Sequence, residues 1–464
     1  MAATLTLNMQ TPAKTSFIKR KVLPVILIAA LLFIVRYAWV SFPIMTGFTA
    51  KNVCSCVFVA GRNAKSVKAE ELGDFPLSLA RFEVHGQDSS VTSTMIGLAK
   101  RKAIYRPGLG CTLVNGVSEA ELQKQTFKLP TVAADTSMQL ARIASTELNQ
   151  AALNDVVQKH INTTNAAGQH EARALLVLYD GELVAEHYAP GFDKNSRMLG
   201  WSMAKSVTGA LVGILVKQGK LHVTQPAPVP EWSNANDPRH AITLQHLLQQ
   251  TSGLDFEEDY SKYSNATRML FQEKDMAAYT ANRPLTMAPG KMFYYSSGNS
   301  NILSRIIRHT VGEEQYRSFI YDSLFKKIGM QSALLEADAS GTMVGSSYLF
   351  ATARDWARFG LMYYNNGNVN GEMLFTDDWV RQSVTTIAGD ALQQYGYQFW
   401  LNGLDKEKSV QRKFPSAPVD MFYAGGYAGQ NIFVIPSKKL VVVRLGFKKY
   451  DADKMLNEIL QQVK

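Results

Sequence analysis

The segment LGWSMAKSVTGALVGILV, residues 199–216, constrains the fold more than any other part of this 464-residue chain. Its apolar residues recur at helical spacing: Met203, Val207, Ala210, Leu211, Ile214 and Leu215. With Gly219 suited to end a helix, the pattern predicts a helix of about 18 residues. Gly209 and Gly213 lack side chains and would let neighbouring elements approach closely.

Ser202 and Lys205 stand at the start of this predicted helix. Residues three apart share a helix face, with roughly 5–6 Å between their Cβ atoms, so the hydroxyl and the amine are expected to meet. A serine hydroxyl becomes an effective nucleophile when a base takes its proton, and a lysine amine serves as that base when desolvation keeps it neutral. Ser-x-x-Lys also occurs at Ser16 and Ser323. The Ser16 pair precedes the apolar N-terminal run, and no apolar helix follows the Ser323 pair.

The N-terminus carries a membrane signal. Four basic residues between Lys14 and Lys21 precede the apolar run Val22–Val35, and Tyr37 and Trp39 follow Arg36. No clean cleavage site follows, so we predict an uncleaved signal-anchor at residues 22–45. The positive-inside rule then places residues 1–21 in the cytoplasm. We expect a single-pass inner-membrane protein with its catalytic domain on the periplasmic or exoplasmic side.

The distribution of charge argues against a nucleic-acid-binding protein. The net charge is +10, but the first 45 residues contain five basic and no acidic side chains. No basic run is interleaved with aromatic residues, so nucleic-acid binding is not predicted.

Cys54, Cys56 and Cys111 allow one disulfide in an oxidising compartment, between Cys111 and either of the others. A metal site would lack a fourth ligand, and neither a metal nor a cofactor is predicted.

The order of predicted elements indicates an α/β chain of the α+β type. Strands at 173–179 and 182–188 flank the turn Asp180-Gly181, and two more strands are predicted at 430–435 and 440–445. Between them, residues 224–345 are mainly helical. This order predicts one antiparallel sheet flanked by helices, with a helical subdomain, in a domain at 136–464. Residues 46–135 form a lead-in of unknown role. Further helices are predicted at about 138–158, 353–365, 376–384 and 451–463.

Four more segments follow the Ser-x-x-Lys helix: ITLQHLLQQTSGL at 242–254, APGKMFYYSSGNSNIL at 288–303, ATARDWARFG at 351–360 and YAGGYAGQ at 423–430. In this order they resemble the serine beta-lactamases and penicillin-binding proteins, particularly the class C branch with its esterases and 6-aminohexanoate-oligomer hydrolases. The resemblance covers about 135–464. It implies a beta-lactamase/transpeptidase-like fold and an acyl-enzyme formed on Ser202.

The resemblance also implies a tyrosine that moves protons beside Ser202 and Lys205. We predict Tyr295 for this role, because Pro289-Gly290 precedes it and an apolar helix follows, as in the family. Tyr263 and Tyr364 match a Tyr-x-Asn pattern literally, and Tyr294 is one residue away, so these three remain alternatives.

The third family element departs from its usual form. No Lys-Thr-Gly occurs, and Ala424-Gly425-Gly426 stands in its place, which removes a cation that would hold a substrate carboxylate and disfavours penicillin recognition. The resemblance implies that the backbone N–H groups of Ser202 and Tyr427 form an oxyanion hole. It further implies substrate-binding positions at Tyr260, Ser297, Gly425 and Gly426.

These observations together predict a membrane-anchored serine hydrolase that acts on a small-molecule or peptide-like amide or ester. The alternatives are a D-Ala-D-Ala carboxypeptidase or esterase, and a beta-lactam-binding protein that is acylated without turnover. No Gly-x-Ser-x-Gly elbow occurs, which excludes an α/β-hydrolase. The oligomeric state and the acyl group are not encoded in any pattern that we can read.

Overall fold

A computed structural model describes residues 15–130, 146–387, 389–407 and 410–464 of the chain, with side chains from residue 22 onward. The helices of these residues are α1 (Thr15–Cys54), α2 (Ala64–Glu71), α3 (Glu119–Lys124), α4 (Gln150–Asn162), α5 (Met203–Lys217), α6 (Leu244–Leu248), α7 (Asn265–Gln272), α8 (Met276–Ala281), α9 (Ser297–Val311), α10 (Glu313–Ile320), α11 (Ala353–Tyr364), α12 (Trp379–Ser383) and α13 (Ala452–Leu460). The strands are β1 (Ala80–His85), β2 (Ser90–Met95), β3 (Leu98–Arg106), β4 (Gly110–Leu113), β5 (Ala172–Tyr179), β6 (Glu182–Tyr188), β7 (Met198–Leu199), β8 (Leu334–Leu335), β9 (Leu349–Ala351), β10 (Asn368–Val369), β11 (Glu372–Met373), β12 (Trp400–Leu401), β13 (Phe422–Gly426), β14 (Gln430–Ile435) and β15 (Leu440–Gly446).

A six-stranded antiparallel sheet of order β12-β13-β14-β15-β5-β6 forms the centre of the catalytic part. The predicted hairpin is confirmed: Asp180 and Gly181 both have positive φ, as a two-residue turn between right-twisted strands requires. The late strands β14 and β15 pair with this hairpin through β5, so the first and last parts of the domain share one sheet. The predicted antiparallel sheet is therefore confirmed.

Helices cover both faces of this sheet. One face packs against α4 and α13, and the opposite face packs against α5 and α11. Residues 224–345 hold α6–α10 and only the two-residue strand β8, in agreement with a mainly helical subdomain. The helix expected at about 138–158 begins at Gln150 within the described residues, and its expected residues 138–145 lie outside them.

Helix α5 is buried along almost its whole length, from Met203 to Leu215. A Cβ atom at Gly213 would lie 2.4 Å from the Trp379 ring, so only glycine allows α12 to approach this closely. The helix begins at Met203 rather than at Leu199, because Met198 and Leu199 form β7, which pairs with β9. Ser202 is therefore the N-cap residue of the central helix.

The lead-in residues form a second sheet that the sequence did not reveal. Strands β1–β4 pair in chain order as an antiparallel meander, and α1 packs along it. A disulfide joins Cys54, at the end of α1, to Cys111 in β4, while Cys56 is free and buried. The boundaries at residues 45 and 135 stay a prediction; α1 continues across residue 45 without a break.

Helix α1 changes its surroundings along its length. It is exposed from Val22 to Tyr37, and it is buried from Thr46 onward against β1–β4 and the helical subdomain. Near its end, Lys51 forms an ion pair with the buried Glu336, which also accepts a hydrogen bond from the Cys111 backbone N–H. Within the described residues, one helix, found in Val22–Val59, is long and apolar enough to cross a membrane.

Candidate active site

Ser202 occupies an N-cap position that it does not use for capping. An N-cap serine usually accepts a hydrogen bond from the N–H of the second or third helical residue, but this side chain makes no such bond. Its Oγ instead lies 3.0 Å from the Nζ of Lys205. The preceding residue, Trp201, has a φ of +48°, a left-handed conformation that is uncommon for a bulky side chain. This strained turn presents the Ser202 hydroxyl to Lys205.

Lys205 is only 1% exposed and uses all three donor directions of its amine. Nζ donates to the Oγ atoms of Ser202 and Ser297, both at 3.0 Å, and to the carbonyl oxygen of Ser346 at 3.1 Å. Burial lowers the pKa of this amine to about 8, and the negative charge of Glu258 opposes part of that shift. A substantial fraction of the amine is therefore neutral just above neutral pH, when it can accept a proton from Ser202.

Tyr295 lies beside Ser202 and Lys205. The Lys205 Nζ is 4.8 Å from the centre of its ring, and the ring stacks on Trp400 with centroids 5.0 Å apart. Burial and the Glu258 charge raise the pKa of the phenol well above its usual value, whereas a hydrogen bond with Ser202 lowers it. The phenol is therefore protonated near neutral pH, so a tyrosinate base is disfavoured and a neutral relay is favoured.

A carboxylate that the sequence analysis did not select completes the polar cluster. Glu258 accepts hydrogen bonds from the Ser297 backbone N–H at 2.8 Å, from the Ser297 hydroxyl, and from the Tyr260 hydroxyl. Because Ser297 also accepts from Lys205, the carboxylate is linked to the amine through one hydroxyl. Ser297 is the first residue of α9, where helix N–H groups favour a negative charge.

Tyr260 reaches this cluster from the rim. Its side chain is 48% exposed, yet its hydroxyl lies 3.0 Å from the Ser297 Oγ. Loss of water around the hydroxyl and the adjacent Glu258 raise the pKa of this phenol well above its usual value. Tyr260 therefore combines an accessible ring with a protonated hydroxyl that is hydrogen-bonded into the cluster, which suits a contact with a bound substrate.

The glycines of β13 bring the sheet edge against the turn that carries Ser202. A Cβ atom at Gly426 would lie 2.2 Å from the carbonyl oxygen of Gly200, a contact that no side chain allows. At Gly425 the nearest atom, on the Tyr423 ring, would be 3.2 Å away. Tyr427 follows in the turn between β13 and β14, with its ring packed edge-on against Trp201 at 5.6 Å.

The rival tyrosines lie in different surroundings. Tyr263 is 43% exposed and Tyr294 is 48% exposed. Tyr364 lies at the end of α11 and donates to Asp180 in the turn between β5 and β6. Of the four tyrosines considered for this role, only Tyr295 has its hydroxyl interacting with Ser202 and its ring beside Lys205.

Two contributors to the site could not be chosen from sequence. Glu258 stands between two other acidic residues, in Glu257-Glu258-Asp259, and no spacing rule distinguishes the three. Phe48 of α1 stacks on Trp201, with centroids 6.4 Å apart and ring planes 6° apart. Among the described residues, no group of three or more His, Cys, Asp or Glu side chains could hold a metal ion.

Comparison with known proteins agrees with this geometry. A family model described as beta-lactamase matches residues 157–462, about two thirds of the chain. A 6-aminohexanoate-dimer hydrolase of Paenarthrobacter ureafaciens is 26% identical over 287 residues, which is 59% of this chain and 71% of that protein. The chain therefore belongs to the beta-lactamase family, and it is a serine hydrolase of the Ser-x-x-Lys type.

Solved structures share the fold. A putative 6-aminohexanoate-dimer hydrolase from Bacillus anthracis is 23% identical, with a TM-score of 0.55 over 70% of this chain and 88% of that chain. A penicillin-binding protein homologue from Caulobacter crescentus is 16% identical, with a TM-score of 0.52 over 69% of this chain and 97% of that chain. A family VIII carboxylesterase is 14% identical, with a TM-score of 0.51 over 70% and 98% of the two chains. At these identities the likeness shows the fold alone.

Proposed function

We propose that the protein is a membrane-anchored hydrolase that cleaves an amide or ester through an acyl-enzyme on Ser202. The observation that carries this proposal is the 3.0 Å contact between the Ser202 Oγ and the buried Lys205 amine, whose pKa is lowered to about 8. A nucleophile and a base within hydrogen-bond reach are the minimum that acyl transfer requires.

In the acylation step, the Ser202 Oγ attacks the carbonyl carbon while its proton moves to neutral Lys205. The attack produces a tetrahedral oxyanion, which the backbone N–H groups of Ser202 and Tyr427 are proposed to stabilise. Collapse breaks the bond to the leaving amine or alkoxide, and the proton returns to that group through Tyr295. The products of this step are a free amine or alcohol and an ester on Ser202.

In the deacylation step, water attacks the ester carbonyl. Lys205 and the neutral phenol of Tyr295 take the proton of the attacking water and return one to Ser202, and the acid is released. Ser297 and Glu258 hold the Lys205 amine in place between turnovers, because Ser297 accepts its hydrogen bond and in turn donates to the carboxylate.

The substrate is proposed to be uncharged at the position that the family's Lys-Thr-Gly lysine would contact, since the residue at that place in the sequence is Ala424, which carries no charge. The 26% identical relative is named as a hydrolase of the 6-aminohexanoate dimer, a linear amide. By analogy, the Tyr260 oxygen would accept a hydrogen bond from the amide N–H of a substrate, because its own proton is donated to Glu258. A linear amide or a simple ester therefore fits the site better than a penicillin.

The membrane anchor is part of the same proposal. The most apolar 18 residues of α1 are wholly exposed and have a mean hydropathy of 2.3. Soluble proteins rarely expose an apolar surface of this size to water. We propose that the predicted anchor at residues 22–45 crosses the inner membrane with about 20 residues counted from Val22, to near Ser41, and that the catalytic domain lies on the periplasmic side.

A fluorophosphonate probe tests the nucleophile. The probe should label the full-length protein, and labelling should be lost in Ser202→Ala. The matched control is Ser323→Ala, which removes the serine of another Ser-x-x-Lys pair. Undiminished labelling of Ser202→Ala would overturn the proposal. Turnover of linear amides, short-chain esters and D-Ala-D-Ala peptides would then separate the hydrolase from the carboxypeptidase, and stable acylation without product release would indicate a binding protein.

A further inference from the structure

The tip of the β2–β3 hairpin has a combination of features that folding does not explain. Met95 pairs with Leu98, so the turn consists of Ile96 and Gly97, which both have positive φ. Such turns favour Asn-Gly, because a β-branched residue is strained in the left-handed region. Ile96 has a φ of +51° and is nevertheless 66% exposed, and Leu98 is 61% exposed. A strained turn that presents apolar side chains to solvent suggests a function at that position.

Two connections fix the direction in which this tip points. The Thr46 hydroxyl donates to the carbonyl oxygen of Ala99 at 2.7 Å, so the start of β3 lies beside Thr46. The Cys54–Cys111 disulfide lies at the other end, because Cys111 pairs with Tyr105 late in β3. Since α1 and β3 advance in the same direction between these connections, the residues before Ala99 extend toward the N-terminal, apolar part of α1.

The distance that the tip extends follows from standard rises. From Ala99 to the tip the chain passes through one strand residue, Leu98, and the two-residue turn, which together span about 7 Å. The same length of helix is about four or five residues, which places the tip level with about residue 41 or 42 of α1. Helix α1 is exposed up to Tyr37, and Trp39 is 82% exposed. The tip therefore ends close to where the exposed apolar part of the helix ends.

A bilayer core of about 30 Å needs ~20 helical residues, and counting from Val22 places its far boundary near Ser41. That boundary coincides with the level of the hairpin tip. Leu79, which is 46% exposed, lies at the same end because the next residue, Ala80, pairs with Met95. The first exposed charged residues after Leu79 on β1 and after Leu98 on β3 are Arg81 and Lys100, which are both cationic and suit anionic lipid headgroups.

We propose that the β2–β3 hairpin tip, Ile96-Gly97-Leu98, inserts into the outer headgroup region of the bilayer beside the anchor helix, as a second membrane contact. This inference rests on the proposed membrane anchor. The exposed apolar part of α1, which ends close to the level of the tip, and the two flanking cations favour lipid over a second copy of the chain or another protein.

Depth-dependent quenching tests the proposal on the full-length protein in phosphatidylethanolamine/phosphatidylglycerol vesicles. A nitrobenzoxadiazole probe is attached at Ile96→Cys in a Cys56→Ser background, and the lipids carry bromine at known depths. Leu32→Cys in the apolar helix is the reference for the span, and Gln87→Cys, exposed at the opposite end of the sheet, is the matched control. We expect deep quenching at 32, shallow quenching at 96 and none at 87.

The outcomes separate the two proposals. Quenching at 32 but not at 96 would overturn the hairpin contact and leave the anchor intact. Absence of quenching at both positions would overturn the anchor and the hairpin contact together. A blue-shifted probe at 96 that brominated lipid does not quench would indicate a protein partner and would also overturn the lipid contact.

A second variant tests whether Ile96 is the residue that inserts into the bilayer. Ile96→Asn should fold, because asparagine accepts positive φ readily. With the probe at Leu98→Cys, this variant should reduce shallow quenching at least about twofold, since the turn loses its main apolar side chain. Unchanged quenching would contradict the assignment of Ile96 as the inserting residue.

Discussion

The Lys205 amine lies 3.0 Å from the Ser202 hydroxyl, at a position that is only 1% exposed to solvent. Burial of a charge that water does not compensate favours the neutral amine, which is the form that can act as a base. The same burial gives the reaction a pH dependence that can be measured.

We expect kcat/KM to rise with pH through a single ionisation near 8. Below this value the protonated amine cannot take the Ser202 proton, so activity should fall about tenfold per pH unit, and above about pH 9 it should reach a plateau. A pH–rate profile on a neutral ester measures this limb. A profile that is flat from pH 6 to 10 would contradict a role for Lys205 as the base.

Glu258→Gln should move this limb to lower pH. The carboxylate raises the pKa of Lys205, so removing its charge leaves burial unopposed and lowers that pKa further. The matched control is Glu257→Gln, because Glu257 pairs with Lys262 on the surface and should leave the profile unchanged. A shift to higher pH in Glu258→Gln would show that the charge of Glu258 does not act on Lys205.

Tyr295→Phe should lower kcat by about 10²- to 10⁴-fold, the range typical of a lost proton-transfer group. The stacking on Trp400 needs only the ring, so thermal stability should change little. Tyr294→Phe, which alters the exposed neighbour, should retain kcat within about twofold. If Tyr294→Phe were the inactive variant, the assignment would have to move by one residue.

Gly426→Ala should lower kcat by about 10²- to 10³-fold, comparable to the loss of one oxyanion-hole donor. The new methyl group would meet the Gly200 carbonyl, and β13 would have to move away from the turn that carries Ser202. Gly86→Ala, at which a Cβ atom would meet no other atom within 4 Å, serves as the control. Equal activity of the two variants in steady-state assays would argue against an oxyanion hole at this edge.

The parts of the fold that follow local rules could be predicted from sequence. The apolar period of α5, the Asp180-Gly181 turn and the continuous apolar runs of β14 and β15 each reflect a local preference that the tertiary structure reinforces. The order of these segments, together with the family resemblance, was then enough to predict the central antiparallel sheet.

The sheet β1–β4 could not be predicted because its strands do not alternate cleanly. In β2 the buried positions include Ser90 and Ser93, so residue polarity does not mark which positions of the strand are exposed. The disulfide remained ambiguous for a related reason. Cys54 and Cys56 are about 200° apart around a helix, and only the tertiary placement of β4 decides which of them faces Cys111.

The catalytic cluster was only partly visible in the sequence. Ser202 and Lys205 are three residues apart on one helix, which a spacing rule detects. Glu258 comes from a loop before α7 and approaches Ser297 only when α9 is packed in place. Contacts between distant segments of this kind leave no periodic signal.

If α1 spans a bilayer as proposed, its unbroken course determines where the hydrolase can work. With residues 22–41 in a bilayer, only about 10 Å of helix separates the membrane from Phe48, which stacks on the residue next to the nucleophile. Because α1 is continuous between Ser41 and Phe48, the distance of the catalytic serine from the membrane would be nearly constant. Its working range is then a thin layer parallel to the lipid surface, explored by lateral diffusion, and molecules held farther out would go uncut until they enter that layer.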